Sequence, residues 1–403
     1  MTKNFFTISL LDNRYPALHG LRAIMILMTA QMHVTLHVAL VIYLGGSEML
    51  TDLFRYSLNT GWQTMDLFFV MSGFLIGRIL FYSYDTQKNI ALRFYFRRAI
   101  RTIPLYIISL LLLWGVVQFW PEASVSKVTS INWFAELFYL TNYMKDKSIL
   151  APWSWSLSVE EHFYLVGPWI VLFIYKLKNH ITRVSVLCVI GFSAVAMRYW
   201  KYASTEDSAI NIFKDLFIPT HMRYDTFIWG ILAAYLAYKF QNKITLFYFI
   251  KYLHLIAWLI VLVISIFFLH PGINDIPFMY LSYGGTETDE TVRRVALQGV
   301  WNFGLISSLL FFILIQLMTS THSMIVKFLS LPIFRYTATL SYGFYLVHLP
   351  VAKLVTHKGI ALFPTMSNSP IFFWIICFLT TSFISYFISY ILHLIVEKPL
   401  LSI

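Results

Sequence analysis

The stretch "GLRAIMILMTAQMH", residues 20–33, reads as the first half of a membrane helix that carries two polar groups it could do without. Its apolar run is the kind that spans a bilayer, where roughly 18–25 such residues are needed. Arg22 stands near its start and His33 eleven residues further in. Eleven residues turn a helix by roughly three turns plus 20° and advance it by about 16 Å, so the two share one face. That geometry suits an elongated substrate, anionic at one end and reactive at the other. The plainer alternative is an arginine snorkelling to headgroups and a histidine satisfied inside the bundle.

Apolar runs of the same length recur along the whole chain. Of its 403 residues 58% are hydrophobic and only 12% charged, and its mean hydropathy of +0.68 lies far from that of soluble domains. Ten spans are expected, at about 21–44, 62–82, 104–120, 156–176, 183–200, 224–240, 248–269, 299–318, 333–355 and 370–396. The fold expected is therefore all-α, a polytopic membrane bundle forming a single domain over 1–403. The segment "INWFAELFYLTNYM" (131–144) reads as amphipathic and lying on the surface. "MTKNFFTISLLDNRYPALHG" (1–20) reads as a cytoplasmic tail and amphipathic lead-in, with no signal peptide. Cys188 and Cys377 fall inside apolar runs, so neither a disulfide framework nor a metal site is expected.

Ten spans put both termini on one side. The segment 83–103 holds five Lys or Arg against one Asp, which places that side in the cytoplasm. The net charge of +11 then reflects orientation and lipid contact, and a nucleic-acid role is excluded. Within the same segment Arg93, Arg97 and Arg101 are spaced i, i+4, i+8, with Arg98 beside them. A helix there presents a guanidinium cluster suited to phosphates, the alternative being ordinary positive-inside composition.

Ionisable groups inside a membrane are functional candidates by default. Besides Arg22 and His33 they are His37, Asp66, Arg78, Glu160, Glu161, Asp225 and His348. In "WSWSLSVEEHFYLVGPWI" (153–170) neighbouring positions diverge by about 100°, so Glu160 and Glu161 are not expected to face one point. Asp66 sits near a small-residue step, Ser72-Gly73, that lets helices approach closely.

Together the motifs resemble acyltransferase family 3, the integral membrane acyl-CoA-dependent acyltransferases. The resemblance rests on "LHGLRAI" (18–24) with the Arg-x10-His spacing of Arg22 and His33, "MDLFFVMSGFLI" (65–76), and "RRAIRTIPLY" (97–106) with Arg98 and Arg101. It continues through "WSLSVEEHFYL" (155–165), "RYDTFIWGILAA" (223–234), "LSYGFYLVHLPV" (340–351) and "VEKPL" (396–400). His19 stands where the family usually has Asp, and His162 where Gln is common.

The resemblance implies transfer from cytoplasmic acyl-CoA, foremost acetyl-CoA, to a hydroxyl of an envelope glycan such as O-antigen or exopolysaccharide. It also implies a multi-pass protein of the bacterial inner membrane, here in the form without an SGNH-hydrolase domain. His33 becomes the expected general base, since imidazole titrates near neutral pH. Its carboxylate partner is expected among Glu161, Glu160 and Asp66, with Arg22, Arg97, Arg98 and Arg101 gripping the coenzyme A phosphates. Tyr164 and Tyr342 are candidate donors to the oxyanion. Two other readings stand beside this one: acylation of a small macrolide-type metabolite, and a proton-coupled transporter or flippase in which the same groups form a relay.

Overall fold

The structure, a computed structural model, describes residues 15–41, 63–84, 90–121, 124, 130–144, 149–205, 212–240 and 324–401. Among these residues all regular structure is helical. The expected lead-in over residues 1–14 and the expected spans at 248–269 and 299–318 lie outside them.

Ten α-helices organise the described chain, followed by a single closing turn of α-helix at Lys398–Leu400. They are α1 (Pro16–Val41), α2 (Gln63–Ser83), α3 (Ile90–Phe119), the short α4 (Trp133–Leu137), α5 (Trp155–Lys176), α6 (His180–Ala203), α7 (Thr220–Phe240), the short α8 (Met324–Leu329), α9 (Pro332–Leu362) and α10 (Pro370–Leu392). Among the described residues six stretches are long and apolar enough to cross a membrane: Pro16–Ala39, Thr64–Ser83, Ile90–Phe119, Pro152–Lys176, His180–Ala203 and Pro370–Leu400. α7 and α9 occupy the sixth and ninth expected spans without reaching that apolarity. Both carry polar residues that the bundle interior receives.

The expected spans at 62–82 and 104–120 leave 83–103 as a connection between them, but α3 already begins at Ile90 and runs unbroken past Pro104. The hydropathy drop over Arg93–Arg101 reflects which residues the first turns carry, and the backbone continues through it. Arg93 and Arg97 are exposed on this helix, whereas Arg98 and Arg101 turn inward.

α7 is the axial helix. From Met222 to Tyr235 it is almost wholly buried, as expected of a helix packed on all sides. It meets α2 at close range: a Cβ on Gly73 would run into the Phe227 backbone, and one on Gly230 into the Val70 carbonyl. Glycine at these two positions lets the helices touch backbone to backbone. α1 packs chiefly on α9, and α9 on α10. At the periphery, α10 turns Phe372, Leu379, Phe383, Phe387 and Ile391 outward, and α6 exposes Val189, Phe192 and Trp200. Such an apolar outer surface is stable where lipid covers it.

The segment 131–144 is amphipathic in an unexpected sense. Phe134, Leu137 and Phe138 are exposed while Glu136 is fully buried. Its Oε1 accepts from the backbone N–H groups of Leu150 (2.6 Å) and Ala151 (2.9 Å), and the Tyr106 hydroxyl donates to Oε2 at 3.2 Å. The carboxylate thus staples this segment to α3 and to the chain entering α5.

Candidate active site

The inward face of α1 meets α2, α5 and α9 around a partly open cavity. Arg22, Ser156, Glu160, Ser341, Tyr342 and Tyr345 supply its polar lining, with Ile26, Phe68 and Phe69 among the apolar walls. Ile26 precedes His33 by seven residues, close to two helical turns, so the cavity lies on the face that carries Arg22 at one end and His33 at the other.

At the Arg22 end three guanidiniums gather. Arg22, Arg98 and Arg101 lie near enough to repel one another, with Glu160 attracting Arg22 and Glu397 attracting both Arg22 and Arg101. Arg98 stacks 3.6 Å over the Tyr164 ring and reaches Glu160 at 3.7 Å and Glu161 at 3.9 Å. The two glutamates therefore do meet at one point. Their Cα–Cβ bonds diverge, but long side chains and a forked cation arriving from α3 close the gap. These ion-pair contacts are long, and the buried Nε atoms of both Arg22 and Arg98 have no hydrogen-bond partner. Unsatisfied guanidinium donors, one on Arg22 at the cavity and one on Arg98 beside the cavity-lining Glu160, are suited to phosphate oxygens.

The hydroxyls of this region are committed. The Tyr164 hydroxyl donates to Ser72 Oγ at 3.2 Å, and Ser72 donates to Glu160 Oε1 at 2.9 Å. Tyr342 donates to the Thr102 carbonyl at 3.1 Å. Tyr345 donates to the Trp153 carbonyl at 2.7 Å, so the 2.6 Å contact with Ser156 has Ser156 as donor.

Asp66 lies elsewhere. Fully buried, it forms an ion pair with the equally buried Arg223 of α7, and Arg198 of α6 pairs with Asp225 at 2.8 Å. Two opposed ion pairs thus join α2, α7 and α6, and none of their four side chains lines the cavity.

His33, half-buried, meets a ring from α9: its Nδ1 stands 3.0 Å from His348 Nε2, with ring centroids 5.0 Å apart. His348 is fully buried, its Nδ1 lies 2.7 Å from the Tyr345 carbonyl, and Phe344 stacks on it. The sequence lists His348 among intramembrane ionisable groups but offers no way to pair it with His33. Glu397 is a second residue that sequence reasoning leaves without a role. Its signal is the charge in "VEKPL" after an apolar run, and His393 holds it at 2.6 Å.

A family model described as an acyltransferase domain, that of acyltransferase family 3, matches residues 15–390. The chain belongs to acyltransferase family 3. It is thus a member of a membrane acyltransferase family, all-helical among the described residues, with several helices apolar enough to span. One similar protein is the peptidoglycan O-acetyltransferase OatA of Listeria monocytogenes, 27% identical over 328 residues, covering 75% of this chain and 47% of that protein. Another is the O-acetyltransferase OatA of Staphylococcus aureus, 27% identical over 209 residues, covering 47% of this chain and 33% of that protein. The chain therefore spans less than half the length of these relatives. No solved structure matches it.

Proposed function

We propose that this chain is a membrane O-acetyltransferase that takes its acyl group from cytoplasmic acetyl-CoA and delivers it to a hydroxyl of an envelope glycan. Membership of the family and similarity to proteins named O-acetyltransferases support the reaction class. The observation that carries the donor is the set of unsatisfied guanidinium donors on Arg22 and Arg98, with Arg101 beside them, at one end of a face whose other end bears His33. About 16 Å separates the two along α1, a span suited to a donor that is anionic at one end and carries a thioester at the other. In this reading both termini are cytoplasmic, as they would be in a bacterial inner membrane, and the described helices form one catalytic unit.

His33 acts as base. It takes the proton of the acceptor hydroxyl as that oxygen bonds to the thioester carbonyl carbon; the carbon–sulfur bond then breaks and the proton passes to the departing thiolate. Transfer is direct, within a complex holding both substrates. Tyr164 and Ser72 hold Glu160 against Arg98 at the edge of the donor site.

The test is purified full-length protein in liposomes, given radiolabelled acetyl-CoA and a cell-envelope glycan fraction. Label should move to base-labile ester on the glycan, and His33→Ala should lower the rate by at least a hundredfold with normal insertion. Absence of glycan ester with the unaltered protein, or near-normal turnover by His33→Ala, overturns the corresponding part of the reading.

A further inference from the structure

We infer that His348 is the positioning residue that sets the tautomer of His33, in the place where a carboxylate would be expected. This rests on His33 being the base, and it follows from the hydrogen-bonding capacity of three groups. The Tyr345 carbonyl can only accept, so His348 Nδ1, 2.7 Å away, carries the hydrogen. In the neutral ring the other nitrogen, Nε2, then has the lone pair. That nitrogen faces His33 Nδ1 at 3.0 Å, so His33 Nδ1 is the donor. By elimination His33 Nε2 holds the free lone pair, the form required of a base.

The chain of acceptors is fixed at its far end by backbone. The Tyr345 carbonyl cannot change its role, whereas a rotatable hydroxyl in its place could reverse the whole sequence. Phe344 stacked on His348, and the Tyr345 ring tilted against it, hold the ring in α9. When His33 takes a proton at Nε2, its Nδ1–H strengthens as a donor and His348 Nε2, still an acceptor, shares the charge. None of the three carboxylates that the sequence offers for this task contacts either ring among the described residues: Asp66 is held by Arg223, and Glu160 and Glu161 by Arg98.

The test compares His348→Ala, His348→Met and His348→Gln with His33→Ala, each as full-length protein in liposomes with radiolabelled acetyl-CoA and the envelope glycan fraction. Met and Gln have similar shape, but only Gln places a carbonyl oxygen where Nε2 stood. Ala and Met should lower kcat by about a hundredfold or more while KM for acetyl-CoA stays within about twofold. Gln should recover at least about tenfold of that loss by accepting from His33 Nδ1. Equal loss in Gln and Met means that His348 only fills space, and near-normal kcat in His348→Ala removes it from the reaction; either result overturns the inference. If His33→Ala is itself active, the assignment of the base fails, and the inference with it. An inactive His33→Ala beside an active His348→Ala defeats the inference alone.

Discussion

Arg98 lies between a ring and two carboxylates: its guanidinium stands 3.6 Å over Tyr164 while Glu160 and Glu161 approach at 3.7 and 3.9 Å. Tyr164 fixes the plane of the fork, and the glutamates hold its charge loosely enough to leave Nε without a hydrogen-bond partner. On the proposed donor reading, a phosphate arriving beside Arg22 and Arg101 would find a cation already oriented. That pre-orientation is what a flexible ammonium could not provide.

Arg98→Lys should accordingly raise the acetyl-CoA requirement by about tenfold, and Arg98→Ala by more, because stacking and the bidentate geometry are lost before charge is. Steady-state kinetics with both substrates varied would check this. The acceptor requirement should remain near its original value, and an equal rise in both requirements would mean that Arg98 supports the bundle and has no direct hold on the donor.

Asp66 presents a different case, since a carboxylate within the apolar motif of 65–76 invites a chemical role while its geometry points to architecture. Asp66 and Arg223 are both wholly buried and paired across the α2–α7 contact. Breaking a buried pair by removing one partner costs about 3–5 kcal/mol. Asp66→Asn should therefore lower thermal stability in detergent, and Asp66→Arg combined with Arg223→Asp should recover a large part of it. The same double variant should recover acetyl transfer in proportion to its folded fraction. Recovery of the fold without recovery of transfer would place Asp66 among the reacting groups.

Much of the architecture was legible because a bilayer demands long apolar runs, and eight of the expected spans coincide with helices among the described residues. The shared face of Arg22 and His33 was legible as well, since helical period alone decides it. The beginning of α3 was not, because a basic first third interrupts hydropathy without interrupting the backbone. Long-range pairings were beyond reach for a simpler reason. His33 and His348 are 315 positions apart and Asp66 and Arg223 are 157 apart, and nothing local to either residue selects its partner. The joint hold of Glu160 and Glu161 on Arg98 also escaped, because a helical wheel locates Cβ atoms and says nothing of a cation reaching in from another helix.

Glu136 offers a test of stability that is independent of the reaction. It lies outside the spans, and burial raises its carboxyl above the ordinary carboxylate range, against the opposing pull of the Leu150 and Ala151 N–H groups and the Tyr106 hydroxyl. A carboxyl raised on folding binds its proton more tightly in the folded state than in the unfolded one. Its contribution is thus fully present below the unfolded pKa, and it is lost as pH climbs through the raised folded value. Glu136→Gln keeps an oxygen for the two backbone donors and has no charge to bury. It should flatten that part of the stability profile, removing the decline between acidic and neutral pH. Glu136→Ala strands two backbone N–H groups and should destabilise at every pH, by about 1–3 kcal/mol for each buried donor left unpaired. Thermal unfolding in detergent across that range, for the three proteins side by side, checks both. A Gln variant whose profile keeps the original slope would show that the pH response arises from another group.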